Sequence, residues 1–246
     1  MKTLGIIPAR FASTRFPGKP LIDIHGKSMI QRVYEQACSS SSLDTVVIAT
    51  DDERIINEVK RFGGEFALTR NDHQSGTDRC AEVTLQRPGY DIVINIQGDE
   101  PYIDPMQIDL LSSCFNDPSV KLATLIKKIY TEDELINPNI PKVVINTLGE
   151  AIYFSRYTIP FLRTAASDNM AAAHQFYKHI GIYGYTVETL LEITQLKPSS
   201  LELAESLEQL RWIENGYRIQ TKITDLETIA IDTPQDLEKI IRLKGI

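Results

Sequence analysis

The chain has 246 residues, of which 42% are hydrophobic and 24% charged, an ordinary balance for a globular protein large enough to bury a substantial core. Its formal net charge of -7 argues against general binding of nucleic acid, which favours a basic surface. No apolar run approaches the roughly 18 residues of a membrane span, and a strand is predicted close to the N-terminus, so we expect no membrane insertion, no signal peptide and a cytoplasmic location.

The first predicted strand, an apolar run over 4–7, is followed by a basic loop. Arg10, Arg15 and Lys19 place three cations in ten residues, and two prolines and a glycine in the same segment exclude a regular helix or central strand. A cationic loop at the C-terminal end of the first strand lies where open α/β sheets bind their ligands. Guanidinium and ammonium groups both suit phosphate oxygens, so the loop predicts a nucleoside triphosphate site. The alternative is a solvated basic loop without a ligand.

Helix and strand patterns alternate through the rest of the first half. Helices are predicted over 28–39, 51–63, 76–86 and 105–115, and strands over 45–50, 92–96 and 122–129. This repeated βα pattern predicts an α/β fold with a doubly wound, mostly parallel sheet.

The second half is richer in strand patterns. The predicted elements are a hairpin over 142–154, strands over 180–185 and 218–223, an extended segment over 229–232 and a final helix from 234. A single helix is predicted from Ser199 or Ser200 to about Asn215, and 165–173 is predicted to be a mobile loop. Because no repeat or linker interrupts the chain, residues 1–246 are predicted to form one domain with a β-rich insertion.

The segment DHQSGTDR, over 72–79, opens one of the predicted helices. Ser75, Gly76 and Thr77 put small residues at the helix start, where free backbone N–H groups and the helix dipole favour an anion or a polar base edge. Arg79 adds a cation one turn later. Plain N-capping by Ser75 or Thr77 explains the same residues equally well.

Two aspartates follow strand ends at distant points of the chain. Asp99 lies in the segment QGDEP, directly after the strand over 92–96, and Asp232 lies between the last extended segment and the final helix. Helix capping explains the Thr-Pro-Gln-Asp sequence after Asp232 but not Asp232 itself. Since Mg²⁺ takes one or two carboxylates with phosphate oxygens and water, both aspartates are predicted to converge on one metal. A simple turn is the alternative for QGDEP.

Three later residues are further candidates. His179 begins a predicted strand with two glycines, which mark a bulge or a close approach to a ligand, although an ordinary strand residue is an equal alternative. Glu208 and Gln209 lie beside the apolar face of the late helix and point either at a pocket or at water. No GxGxxG, Walker-type P-loop, HExxH, GxSxG or metal-spaced Cys/His cluster occurs, and the three scattered cysteines predict reduced thiols.

Eight segments follow one another over nearly the whole chain: IPARFASTRFPGKPL, DHQSGTDR, QGDEP, NPNIPKVV, FSR, HIGIYGY, LEQLR and IDTPQDLE. Together they resemble the 3-deoxy-D-manno-octulosonate (Kdo) cytidylyltransferase family. The resemblance implies a nucleotide-diphospho-sugar transferase-like fold, Mg²⁺ dependence and a homodimer, with 140–185 contributing to the sugar side and the dimer region. It also implies a reaction in which CTP and Kdo give CMP-Kdo and pyrophosphate, which activates Kdo for the inner core of lipopolysaccharide.

The resemblance further implies a role for each motif. The expected catalytic set is Arg10, Lys19, Asp99 and Asp232. Arg10, Arg15 and Lys19 are expected to contact the triphosphate, and Ser75, Gly76 and Arg79 the nucleotide. Asp99 and Asp232 are expected to bind Mg²⁺. The residues expected around Kdo are Arg156, His179, Glu208 and Gln209, and Gln97 is expected to contact both substrates. The anomeric hydroxyl of Kdo is expected to attack the α-phosphorus of CTP. Residues 161–175 match the family little.

Two alternative functions stay open. In the first, the chain is a relative with the same fold that loads a different acid sugar, such as an amino-Kdo or a sialic acid. The unmatched stretch over 161–175 would decide which sugar is used. A non-catalytic protein binds CTP but releases no pyrophosphate. The presence of both Asp99 and Asp232 argues against the second alternative.

Overall fold

The computed structural model describes residues 1–12, 16–163, 170–227 and 229–244. The strands are β1 Thr3–Pro8, β2 Asp23–Ile24, β3 Lys27–Ser28, β4 Thr45–Thr50, β5 Phe66–Leu68, β6 Ile92–Asn95, β7 Leu122–Lys128, β8 Lys142–Ile145, β9 Ala151–Ser155, β10 Tyr177–Thr186 and β11 Gln220–Ile223. The helices are α1 Met29–Cys38, α2 Glu53–Phe62, α3 Gly76–Gln86, α4 Pro105–Ser112, α5 Glu132–Ile136, α6 Met170–Ala173, α7 Val187–Ile193, α8 Ser200–Glu205, α9 Gln209–Glu214 and α10 Pro234–Lys244. Short 3₁₀ turns cover Lys19–Leu21 and Ser113–Asn116.

A mostly parallel sheet organises the chain, as the βα pattern predicts. Its strand order is β11-β7-β10-β6-β1-β4-β5, with β8 and β9 attached as a hairpin beside β10. The β-branched runs of β4 and β6 are buried because helices cover both faces of the sheet, which gives one hydrophobic cluster on each side. The predicted α/β class and the predicted hairpin are confirmed.

Strand β10 is longer than predicted and runs against its neighbours. It pairs antiparallel with β6 on one side and with β7 on the other, and its register shifts between Ile180 and Tyr183. An antiparallel strand between parallel neighbours brings its N-terminal half beside the C-terminal end of β6. The reversal therefore carries residues of the HIGIYGY segment to the edge of the sheet where the parallel strands end.

The predicted helix over 199–215 is wrong as a single element. Helix α8 ends after Glu205, because Ser206 adopts a left-handed conformation with φ of 53°. Helix α9 then starts again at Gln209, with Glu208 at its N-cap position. The apolar periodicity continues across the break, which explains why the pattern indicates one helix.

The predicted mobile loop over 165–173 is also corrected in part. Residues 170–173 form helix α6, and the remainder of that prediction, over 165–169, lies outside the described residues. None of the helices in the described parts of the chain is both long and apolar enough to cross a bilayer.

Candidate active site

Several of the predicted site residues meet where the parallel strands end. Strands β1 and β6 are parallel neighbours, so the segments that follow them, the basic loop and QGDEP, leave the sheet side by side. Gly98 allows this close approach, because a Cβ atom there would lie 2.7 Å from the carbonyl oxygen of Pro8. The start of α3 lies against the same end of β1, since a Cβ on Gly76 would lie 3.4 Å from the Pro8 ring.

Lys19 forms ion pairs with both predicted metal ligands. Its Nζ lies 2.9 Å from Asp99 Oδ2 and 3.0 Å from Asp232 Oδ1. Burial acts to lower the pKa of Lys19, but the charges and hydrogen bonds of the two carboxylates outweigh it, and the pKa is raised above its ordinary value. Lys19 is therefore a firmly charged cation held between two carboxylates.

The donor set around Lys19 fits a divalent cation. Two carboxylates already converge on one positive charge, and Mg²⁺ in nucleotide sites takes few protein ligands beside phosphate oxygens and water. Within the described parts of the chain, no group of three or more His, Cys, Asp or Glu side chains forms a protein cage for a metal. The geometry suits a cation that is shared with a phosphate-bearing ligand.

A cavity of about 300 Å³ opens beside this cluster. The residues that line it are Pro8, Arg10, Gly76, Thr77, Asn95, Gln97, Tyr183 and Glu208. Four of the predicted site residues, Arg10, Gly76, Gln97 and Glu208, are thus brought to one pocket. Thr77, from the same predicted helix start as Gly76, lines it too, and so do Asn95 and Tyr183, for which no role was predicted.

Arg10 connects the basic loop to the segment before α3. Its Nη2 donates to the carbonyl oxygen of His73 and, at 3.3 Å, to that of Ser75. Ser75 caps α3 in a reciprocal capping box with Asp78, so its hydroxyl accepts from the Asp78 backbone N–H. The capping alternative for Ser75 is therefore present in the structure, together with a contact to the predicted triphosphate loop.

Arg79 lies away from the cavity. Its side chain is fully buried beneath α3, with Nη2 2.9 Å from Asp51 Oδ1 and a hydrogen bond from Nη1 to Thr69 Oγ1. In this position the guanidinium joins α3 to the segments that follow β4 and β5. Arg79 does not line the cavity, although it lies near enough to Arg10 for the two positive charges to repel each other.

Glu208 enters the pocket from the start of α9. Its Oε2 accepts a hydrogen bond of 2.7 Å from Thr77 Oγ1 on α3, and burial raises the pKa of the carboxyl. Gln209 follows it and is buried. The break at Ser206 separates Glu208 from the preceding helix and so determines where this carboxyl points.

Gln97 spans the mouth of the pocket toward β10. Its Nε2 donates to the carbonyl oxygen of Gly181 at 2.8 Å, within the irregular part of that strand. His179, two residues earlier, packs between Phe154 and Tyr183, and its Nε2 lies 2.9 Å from Thr124 Oγ1. Removal of the ring from water lowers the pKa of His179 to about 3, so the imidazole is neutral at physiological pH.

Arg156 is not among the residues that line the cavity and contacts the end of α8 instead. Its guanidinium donates to the carbonyl oxygens of Glu205 at 2.7 Å, Ser206 at 3.2 Å and Pro138 at 3.1 Å. These bonds hold the end of α8, the segment that leads to Glu208. Arg15 was predicted to bind the triphosphate, but it lies outside the described residues.

Comparison with known proteins gives one consistent result. A family model described as Cytidylyltransferase matches residues 4–229. A 3-deoxy-manno-octulosonate cytidylyltransferase of Parabacteroides distasonis is 56% identical, covering 98% of this chain and 97% of its own, and that of Cytophaga hutchinsonii is 58% identical over 96% and 95%. A solved structure of CMP:2-keto-3-deoxy-manno-octonic acid synthetase complexed with CTP has a TM-score of 0.93 at 44% identity, covering 100% of this chain and 99% of its own.

Proposed function

Since this chain belongs to the 3-deoxy-manno-octulosonate cytidylyltransferase family, we propose that it joins CTP and Kdo to give CMP-Kdo and pyrophosphate. The relatives carry this activity in their names, and the similar solved structure holds CTP. The observation that carries the proposal in this chain is the convergence of Asp99 and Asp232 on Lys19, beside a pocket that contains four further predicted site residues.

The triphosphate of CTP binds at the basic loop. Arg10, Arg15 and Lys19 supply positive charge, and the start of α3, at Ser75 and Gly76, adds the positive end of a helix dipole. Arg79 acts on the nucleotide indirectly, because its buried ion pair with Asp51 fixes the helix that bears Ser75. Gln97 lies between the two substrates, since it reaches from β6 to β10 across the pocket mouth.

Asp99 and Asp232 hold Mg²⁺. Their carboxylates already share a cation in the form of Lys19, and this donor set suits a metal that also takes phosphate oxygens. When bound, Mg²⁺ supplies charge neutralisation at the α-phosphate and a lower pKa for a nearby hydroxyl. Lys19, which lies between the same two carboxylates, would add positive charge near the phosphates and so offset the negative charge of the leaving pyrophosphate.

The sugar acid occupies the pocket toward β10 and α9. Glu208 and Gln209 reach it from the start of α9, and His179 shapes the wall as a neutral ring. Arg156 supports this wall by holding Glu205 and Ser206, and it contributes positive charge near an anionic substrate. The anomeric hydroxyl of Kdo gives up its proton to water as its oxygen forms the new bond to the α-phosphorus. The bond from that phosphorus to the bridging oxygen breaks, and pyrophosphate leaves. The chain's residues contribute chiefly by positioning and by charge neutralisation.

We also propose the domain organisation, the oligomeric state and the location of the protein. The chain works as one nucleotidyltransferase domain and forms a homodimer through 140–185, where the β8–β9 hairpin exposes Leu148 and Ile152. It acts in the cytoplasm, and its product activates Kdo for lipopolysaccharide synthesis. Its partners are the two small substrates, without nucleic acid or membrane insertion.

The test is release of pyrophosphate from CTP and Kdo with Mg²⁺. UTP, an amino-Kdo and a sialic acid serve as parallel substrates under identical conditions. Release with CTP and Kdo alone supports the proposal in full. Release with another sugar acid keeps the reaction class but changes the substrate, whereas CTP binding without release from any pair supports a non-catalytic nucleotide-binding protein.

A further inference from the structure

The floor of the pocket contains a buried amide that no motif accounts for. Asn95 is the last residue of β6, its side chain is 4% exposed, and it lines the cavity. Its Oδ1 has no hydrogen-bond partner among the described residues. A buried polar atom without a partner is uncommon in folded proteins and indicates a position at which a bound molecule supplies the missing bond.

The sheet register fixes where this amide points. Asn95 lies directly opposite Tyr183 in the antiparallel ladder of β6 and β10, so the two side chains lie on the same face of the sheet. Tyr183 also lines the cavity, and its hydroxyl likewise lacks a partner in the described parts of the chain. The Tyr183 ring packs at 5.0 Å from Trp212 and 5.1 Å from His179, which leaves its orientation well defined.

The chemistry of this floor favours hydroxyl groups over phosphates. Glu208 and Asn95 both present oxygen acceptors, and Thr77 uses its own hydroxyl proton in the bond to Glu208. Phosphate oxygens are mostly deprotonated at neutral pH, so the acceptor oxygens of Glu208 and Asn95 receive no hydrogen bond from them. A polyhydroxylated sugar instead donates from each hydroxyl.

The described cations of the basic loop contact groups other than Glu208 and Asn95. Arg10 contacts the segment before α3, and Lys19 lies between Asp99 and Asp232 rather than among the residues that line the cavity. The site thus has a basic side suited to phosphates and an acceptor-rich floor suited to hydroxyls.

We propose that Asn95 is a further substrate-contacting residue, whose side-chain amide accepts a hydrogen bond from a hydroxyl of the sugar acid at the pocket floor. The inference rests on the proposed function, because it takes Kdo as the molecule in this pocket. It adds a determinant of sugar recognition at the end of β6. Asn95 lies two residues before Gln97, in the segment that leads to Asp99.

The first experiment replaces the amide by an apolar group of similar size, Asn95→Leu. We expect kcat/KM for Kdo to fall about 10- to 100-fold, the usual effect of losing one buried hydrogen bond to a substrate, while the dissociation constant of CTP stays unchanged. Thr84→Val is the matched control, because Thr84 is equally buried but bonds only to the carbonyl of Cys80 in its own helix. Asn95→Ser, which shortens the side chain without introducing an apolar group, should reproduce the loss if Asn95→Leu does not fold.

A second experiment uses analogues of Kdo that each lack one hydroxyl. The wild type should reject one of these analogues by the same 10- to 100-fold factor, and Asn95→Leu should show no additional loss with that analogue. If Asn95→Leu lowers kcat/KM by the same further factor with every analogue, the proposal is overturned. A weaker CTP affinity of the variant with an unchanged KM for Kdo would also overturn it. Failure of the wild type to release pyrophosphate from CTP and Kdo would instead contradict the proposed function, and this outcome is read from the wild type alone.

Discussion

The backbone N–H of Ile231 donates to the carbonyl oxygen of Asp99 at 2.9 Å. This bond joins the segment before the last helix to the segment after β6, and it aligns Asp232 with Asp99 on either side of Lys19. Two carboxylates that are distant in the sequence therefore become one cation-binding pair through a single backbone contact.

Replacing either carboxylate tests the metal assignment. Asp99→Asn and Asp232→Asn should each lower turnover about 100-fold or more, because each removes one of the two charges that we propose hold Mg²⁺ while keeping the size of the side chain. The measurement is pyrophosphate release at saturating substrates, with circular dichroism and thermal unfolding to verify the fold. Asp133→Asn, at an exposed carboxylate of α5, is the control. Wild-type rates in both variants would contradict the assignment.

Removing the ammonium group tests the role of Lys19 as the cation between the two aspartates. In Lys19→Met the two carboxylates face each other without compensation, so the variant should unfold at a lower temperature than the wild type in EDTA. Added Mg²⁺ should raise the unfolding temperature of the variant more than that of the wild type, since the metal replaces the missing charge. Thermal unfolding with and without Mg²⁺ measures both effects. Equal Mg²⁺ responses in the two proteins would show that Lys19 does not compete for this position.

Gly98 is expected to be intolerant of any side chain. In Gly98→Ala the new methyl group would lie 2.7 Å from the backbone oxygen of Pro8, so the end of β6 must move away from β1 and take Asp99 with it. Activity should fall at least about 10-fold, with a loss of thermal stability. Gly5→Ala, in the same sheet, is the control, because its new methyl group meets the ends of side chains, Leu43 at 2.8 Å and Ile96 at 3.4 Å, and not a backbone atom. The prediction fails if both variants behave alike.

The neutral state of His179 makes a prediction about acid stability. The pKa of His179 in the folded protein is about 3, below the ordinary value of 6.5, so the unfolded chain binds a proton between these values that the folded chain does not. Stability should therefore fall as the pH drops below 6.5, with a contribution of up to about 1.4 kcal/mol per pH unit from this residue. Urea unfolding at pH 7.5, 6 and 5 measures the slope for the wild type and for His179→Gln. A slope that is no smaller in the variant would contradict the prediction.

Much of this architecture follows from local patterns. The runs over 45–50 and 92–96 predict buried strands, because β-branched residues favour an extended backbone. Gly63 predicts the end of α2, because glycine suits the left-handed conformation at a helix C-cap, and its φ in the structure is 75°. The placement of Asp99 and Asp232 near one another was also predicted, from the expectation that both follow extended segments, although in the structure only Asp99 comes after a strand, β6, and the segment over 229–232 is not a strand. These signals are short in range or depend on the common edge of a parallel sheet.

The parts that escaped prediction depend on contacts between distant segments. The break at Ser206 interrupts an unbroken apolar periodicity, so only the packing of α8 and α9 reveals it. Arg79 belongs to a motif that suggests a ligand contact, yet it lies under α3 against Asp51, a partner that no spacing rule identifies. Asn95 looks like an interior strand residue until the register of β10 sets Tyr183 opposite it.

The bond from Ile231 to Asp99 also has a consequence during synthesis of the protein. A nascent polypeptide that has already folded the β1 to β6 core still lacks Asp232, and the segment that delivers it emerges from the ribosome far later. Until then, Asp99 faces Lys19 without its second carboxylate. Chains that end before Asp232 should therefore bind nucleotide without converting it. Catalysis begins only once Asp232 has been synthesised and has joined Asp99.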